Sequence, residues 1–169
     1  MKKESLKAKK ARAAEIVAAL EELYPSAECA LEYNGDPWRL LVMGRLSAQC
    51  TDARVNIVCR ELFSEFPNAE SLAYAELSRV EEIVKPCGLY RMKADNIREA
   101  SRMLITDFGG RVPDNMEDLL KLPGVGRKIA NLLLGDIYHV PGIVADTHLI
   151  CIGGRLGAYP TTMKDPHKV

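Results

Sequence analysis

The sequence predicts an all-helical protein, and three observations carry that prediction. Apolar residues recur every three or four positions through most of the chain, Pro and Gly break these stretches at intervals that suit short helices, and no stretch alternates apolar and polar residues over a strand's length. The 169 residues suffice for one ordinary domain or two small ones. With 47% hydrophobic and 27% charged residues, such a chain can bury a core without disulfide staples.

Residues near 4–23 form the first helix, in which Ile16, Leu20 and Leu23 share a face and Pro25 stops the run. Its beginning is basic: Lys2, Lys3, Lys7, Lys9, Lys10 and Arg12 stand against Glu4 alone, which suits a solvated terminus or a contact with nucleic acid. Asn34-Gly35-Asp36-Pro37 reads as a turn, with Pro37 in the first turn of the next helix. That helix, 37–48, is apolar nearly all round (Trp38, Leu40, Leu41, Val42, Met43, Leu46), as a central core helix should be. Arg45 interrupts it and, if buried, needs a partner that the sequence does not identify. Thr51 or Asp52 caps the following helix, whose stripe is Val55, Val58, Cys59 and Leu62. Shorter helices near 69–75 and 77–85 end at Pro86. From Tyr90 a longer helix presents Ala94, Ile97, Ser101, Leu104 and Phe108 on one face and stops at Gly109-Gly110.

Lys plus Arg number 23, as do Asp plus Glu, so the formal net charge is zero. This excludes a histone-like polycation but not a local basic patch. No apolar run approaches the ~20 residues that span a bilayer, and the charged N-terminus develops no apolar signal core. The expectation is a cytoplasmic monomer without a membrane partner. The cysteines Cys29, Cys50, Cys59, Cys87 and Cys151 are odd in number and scattered, without a C-x-x-C pair. They read as buried small hydrophobes of a reducing compartment, with no metal site within the chain.

The segment from Met116 to Leu156 carries the chemistry. A short helix, 116–122, precedes Pro123-Gly124-Val125-Gly126, and a second apolar helix starts at Arg127-Lys128. Two glycines two apart permit a tight turn and close approach of another backbone. The first amides of the second helix are left aimed outward, with the positive end of the dipole behind them, which is a phosphate site. Leu122-Pro123-Gly124-Val125-Gly126 between two short helices is the helix–hairpin–helix pattern that grips a DNA backbone without reading sequence. Lys128 stands in the first turn after the hairpin, where it is a surface lysine, another phosphate contact or an amine used as a nucleophile. Asp146, after the turn at Pro141-Gly142, is placed to cap a helix over 147–156; it could also take a proton from the Lys128 amine.

Four motifs now stand in order: Leu46-Ser47-Ala48-Gln49-Cys50-Thr51-Asp52, Gly88-Leu89-Tyr90, Leu122-Pro123-Gly124-Val125-Gly126-Arg127-Lys128 and Ala145-Asp146-Thr147-His148. Together they resemble the signature set of endonuclease III, the DNA glycosylase and abasic-site lyase of base-excision repair. The resemblance implies a six-helix barrel domain over about 30–140, with its helix–hairpin–helix at about 116–135. It also implies a second helical domain built from 1–29 and 141–169. Lys128 is implied to be the nucleophile that displaces a damaged base and forms a Schiff base, and Asp146 the carboxylate that assists it. Gln49 is implied to fill the hole left by the extruded nucleotide, and Leu89 to wedge the opposite strand. Leu122, Gly124, Val125, Gly126 and Arg127 are implied to hold the DNA backbone. The implied partner is double-stranded DNA bearing oxidised pyrimidines or abasic sites.

The chain departs from the pattern in places. Family members usually carry a C-x6-C-x2-C-x5-C set that binds a 4Fe-4S cluster beyond the point where this sequence ends. The second domain is therefore expected to be incomplete, with no cofactor held by this chain. Ala145 stands where Val is usual, Cys151 where Arg is usual, and Arg45 where an apolar residue is usual. Two other readings compete. An adenine-type monofunctional glycosylase would place Ser at Lys128, and a non-catalytic DNA-binding fragment would have no use for the Lys128 and Asp146 pair.

Overall fold

The computed structural model describes residues 4–163 and Asp165. Among these the secondary structure is helical, with no strand. The chain divides into two compact units, one of Met1–Glu28 with Ala145–Val169, the other Cys29–Val144.

The larger unit opens with α2, Pro37–Leu46, after α1 of the smaller unit, Leu6–Leu23. Asp36 starts α2 by accepting from the amides of Trp38 and Arg39, and Pro37 occupies its first turn. The helix ends two residues before the sequence reading placed it, because the Ser47 hydroxyl turns back onto the Met43 carbonyl and Gln49 adopts a left-handed backbone. Thr51, not Asp52, caps α3, Asp52–Glu65. A reciprocal Asn68–Ser71 box opens α4, Ala69–Ala73. Helix α5, Leu77–Val84, runs into a 3-10 turn, Lys85–Cys87, where Pro86 forbids continuation. Helices α6, Tyr90–Asp107, α7, Met116–Leu119, and α8, Arg127–Asp136, complete the unit.

One core joins these helices. Leu40, Leu41, Val42, Met43 and Leu46 of α2 are all buried, as the all-round apolar sequence predicts. Helix α6 packs on α4, α5 and α2, and α2 packs in turn on α8 and α3. Trp38 stacks at a tilt on Phe63 and donates its indole N–H to Ser101 Oγ at 2.9 Å, which satisfies the one polar atom of a buried ring. Arg45 is buried and its partner is Asn96 of α6, whose Oδ1 accepts from Nε at 3.0 Å and Nη2 at 2.8 Å.

In the smaller unit α1 buries no residue, so the Ile16, Leu20 and Leu23 face is not a core face among the described residues. The basic start of α1 is partly spoken for. Arg12 donates to the carbonyls of Leu156 and Gly157 at the end of α9, Thr147–Arg155, and pairs with Glu4 at 2.8 Å. Lys9 reaches Ala158 O at 3.5 Å. Two of the six basic residues thus serve carbonyls at and just past the C-cap of α9, the end of a helix where cations are favoured. Lys2 and Lys3 lie outside the described residues. No helix among the described residues is long and apolar enough to cross a membrane.

Candidate active site

The hairpin is built from the inside out. Leu122 and Val125 point into the core, at 2% and 6% exposure, and the Val125 amide donates back to Leu122 O at 3.1 Å. Anchoring these two apolar residues forces Gly124 outward with φ of +75°. Gly124 also has no room for a side chain: a Cβ would fall against Arg45 Nε and 2.6 Å from Asn96 Oδ1. Buried Arg45, with half-buried Asn96 as its partner, is therefore the floor of the hairpin. Gly126 is the opposite case, with nothing within 4 Å of the position its Cβ would take. It is the N-cap of α8 and supplies no side-chain acceptor, so the first-turn amides of α8 meet no cap from it. Arg127 and Lys128 follow, both exposed.

Asp146 caps α9 as its residue type predicts, with Oδ1 accepting from the Leu149 amide at 2.8 Å and its carbonyl accepting from the Ile150 amide at 2.9 Å. It is half-buried and belongs to the smaller unit, whereas Lys128 belongs to the larger. Within the larger unit, Asn131 of α8 donates to Ile143 O at 2.8 Å and so tethers the segment that precedes Asp146.

Gln49 and Leu89 share two properties. Both are exposed, Leu89 at 53%, and both are non-glycine residues with positive φ, 55° and 48°. A left-handed backbone costs a residue with a Cβ about 1–2 kcal/mol. Such a conformation persists where the surroundings impose it. A Leu held out in solvent on a left-handed backbone is not a core residue.

Sequence reading missed Lys93 altogether. It is fully buried, and its Nζ donates to Leu46 O at 2.8 Å and Cys87 O at 2.7 Å. The signal was present, because Lys93 falls among Tyr90, Ala94, Ile97, Ser101 and Leu104, on the buried face of α6. A lysine on an apolar stripe announces either a mismatch or a partner.

The cysteines do not fit a metal cluster. Cys59 and Cys87 are core residues, Cys29 and Cys50 are half-buried, and Cys151 is exposed in the other unit. Burial, with the neighbouring Cys50 thiol adding to it, pushes the Cys87 thiol up to about 11, and burial drives Cys59 higher still. Among the described residues no three His, Cys, Asp or Glu side chains gather in a group that could hold a metal ion.

Residues 42–169 match the HhH-GPD superfamily of base excision DNA repair proteins. Endonuclease III of Synechocystis sp. is 45% identical over 95% of this chain and 73% of its own length. Endonuclease III of Bacillus subtilis is 44% identical over 80% of this chain, and the match spans 62% of that protein. Among solved structures, a non-covalent endonuclease III–DNA complex superposes with a TM-score of 0.89 at 36% identity, covering 94% of this chain and 73% of that one. A trapped covalent endonuclease III–DNA intermediate superposes at 0.87 with 37% identity, over 92% of this chain and 72% of that one. With its hairpin, its helices and most of its length shared in this way, the chain belongs to the endonuclease III family of HhH-GPD base excision DNA repair proteins.

Proposed function

We propose that this chain acts on double-stranded DNA as a base-excision glycosylase with abasic-site lyase activity, and that Lys128 and Asp146 carry the chemistry. The observation that carries the reading is the exposed lysine in the first turn of α8, directly after a hairpin whose Gly126 supplies no side-chain cap, in a chain whose relative has been trapped covalently on DNA. The hairpin amides hold a phosphate, which fixes the strand next to Lys128. The lysine cannot reach a sugar carbon in stacked duplex, so the damaged nucleotide must first leave the stack. Gln49 then occupies the vacated space and Leu89 separates the opposite strand, which suits two exposed side chains on fixed loops.

Once the nucleotide is extruded, the neutral Lys128 amine attacks C1′. The N–C1′ bond forms as the glycosidic bond breaks, and the base leaves with the bonding pair and takes up a proton. Asp146 accepts the proton released by the amine and stabilises positive charge at C1′. Opening of the sugar ring gives a Schiff base. Loss of a proton from C2′ then expels the 3′ phosphate as the C3′–O bond breaks, which cuts the strand on the 3′ side. Oxidised pyrimidines are the proposed substrates, and the cytoplasm is the proposed compartment. Lys128 also favours this reading over the adenine-type enzyme, which has Ser there.

The test is borohydride trapping on a duplex with one abasic site. The unaltered chain should give a covalent adduct, and Lys128→Gln should give none while still binding DNA. An adduct with Lys128→Gln would identify another amine as the nucleophile and defeat the assignment.

A further inference from the structure

Among the described residues Lys93 is the largest fully buried side chain, at 0% exposure. Lysine is almost never buried without partners, since its amine must replace the water it loses. Its two partners are informative. Leu46 is the last residue of α2 and Cys87 the last of the 3-10 turn, and carbonyls at such ends lack partners of their own. Three residues beyond Leu46 stands Gln49, and two beyond Cys87 stands Leu89. The Lys93 amide also donates to Leu89 O at 3.1 Å, the first backbone bond of α6, which any residue at 93 would make. One residue of α6 thus holds the stems of both exposed, left-handed loops. The amine supplies the two N–H groups in either protonation state, so the tie does not depend on its charge.

We propose that Lys93 is a positioning residue for base extrusion, holding the Gln49 and Leu89 loops at a fixed separation so that both side chains enter the duplex together. This rests on the roles given above to Gln49 and Leu89. Two residues that must act on opposite strands at once gain from being set in place beforehand, because each loop ordered on binding subtracts from affinity. An apolar residue at 93 would fill the same volume but leave two buried carbonyls unpaired and the loops free to shift.

The experiment uses the whole chain with Lys93→Met, checked for a cooperative thermal transition. Lys93→Gln, whose amide is too short to reach both carbonyls at once, serves if the Met variant does not fold. A duplex carrying a tetrahydrofuran abasic analogue opposite 2-aminopurine reports insertion as a rise in fluorescence, without turnover. Undamaged duplex reports binding through the hairpin. At saturating protein the fluorescence rise should fall at least fivefold, and excision of a paired lesion at least tenfold. Affinity for undamaged duplex should stay within twofold, and the borohydride adduct on an abasic site should survive. An unchanged fluorescence rise, or equal losses in every readout, would overturn the proposal. No rise with the unaltered chain would remove the inserting roles and this inference with them. A missing adduct in the unaltered chain would instead strike the Lys128 chemistry and leave the fluorescence comparison standing.

Discussion

Gly124→Ala should be among the most damaging single-methyl changes in this protein. The backbone there has φ of +75°, and forcing an alanine into that region costs about 1–2 kcal/mol. The new Cβ would also lie against Arg45 Nε, 2.8 Å from Arg45 Cδ and 2.6 Å from Asn96 Oδ1. It cannot be accommodated without moving a guanidinium that is itself buried. Displacing it weakens two hydrogen bonds from a charged donor, each worth about 1.5–3 kcal/mol. Partial loss of one bond plus the backbone cost gives about 2–3 kcal/mol, and loss of both bonds about 4–8 kcal/mol. For a chain of this size each kcal/mol lowers the melting temperature by roughly 2–4 °C, so a drop of about 10 °C is expected. Thermal melts of Gly124→Ala, Arg45→Ala and the double variant form the assay. In the Arg45→Ala background the two contacts with Arg45 are gone and the Asn96 amide, no longer held by the guanidinium, can turn aside, so Gly124→Ala should then cost little more than the left-handed backbone, about 1–2 kcal/mol. A single-variant cost below about 1 kcal/mol, or the same cost in both backgrounds, would show that Arg45 does not floor the hairpin.

Gly126→Val meets open space, so stability should change by about 1 kcal/mol or less. Its affinity for every duplex sequence should fall together, and unequal losses between sequences would argue against a backbone grip. Affinity of the unaltered chain for duplex should drop steeply with salt, as phosphate binding requires, and a flat salt titration would contradict it. Leu89→Ala should barely move the melting temperature because the side chain is 53% exposed, while excision from paired lesions slows; a loss of about 2–5 kcal/mol would mark a core residue instead. Asp146→Asn should slow base release severely yet keep the α9 cap, since Asn accepts from the Leu149 amide about as well, and a large fall in stability would show that capping is the main role. Alkylation of the folded chain at pH 8 should label exposed Cys151 first and leave Cys59 and Cys87 until unfolding, because burial both hides these two thiols and holds them protonated.

Much of the helical scaffold is legible in sequence because its causes are local. Asp36 and Pro37, Thr51, Asn68 and Asp146 each act within one helical turn, and each starts a helix where its residue type says it should. The apolar stripes of α3 and α6 are likewise local patterns, and Val55, Val58, Ala94 and Ile97 are buried as the spacing requires. The hairpin could be read because its glycines, its leucine and the helix beyond it are contiguous.

What the sequence could not supply is who meets whom across the fold. The start of α1 reads as a basic arm, yet Arg12 and Lys9 serve carbonyls almost 150 residues away. Arg45 shows in the sequence as a misfit, and packing alone reveals that Asn96 accepts from it and that Gly124 rests on the pair. Lys93 stands on the apolar stripe of α6 without a visible partner, and only the fold shows it fully buried with its amine on two carbonyls. The physical reason is common to all three. A helix start is decided by groups within a few bonds, whereas a buried donor is satisfied by whichever acceptor tertiary packing brings within 3 Å of it. The sequence by itself determined the helices, the hairpin and the family; the partners of its buried cations, and with them the placement of the loops, were decided only by the folded chain.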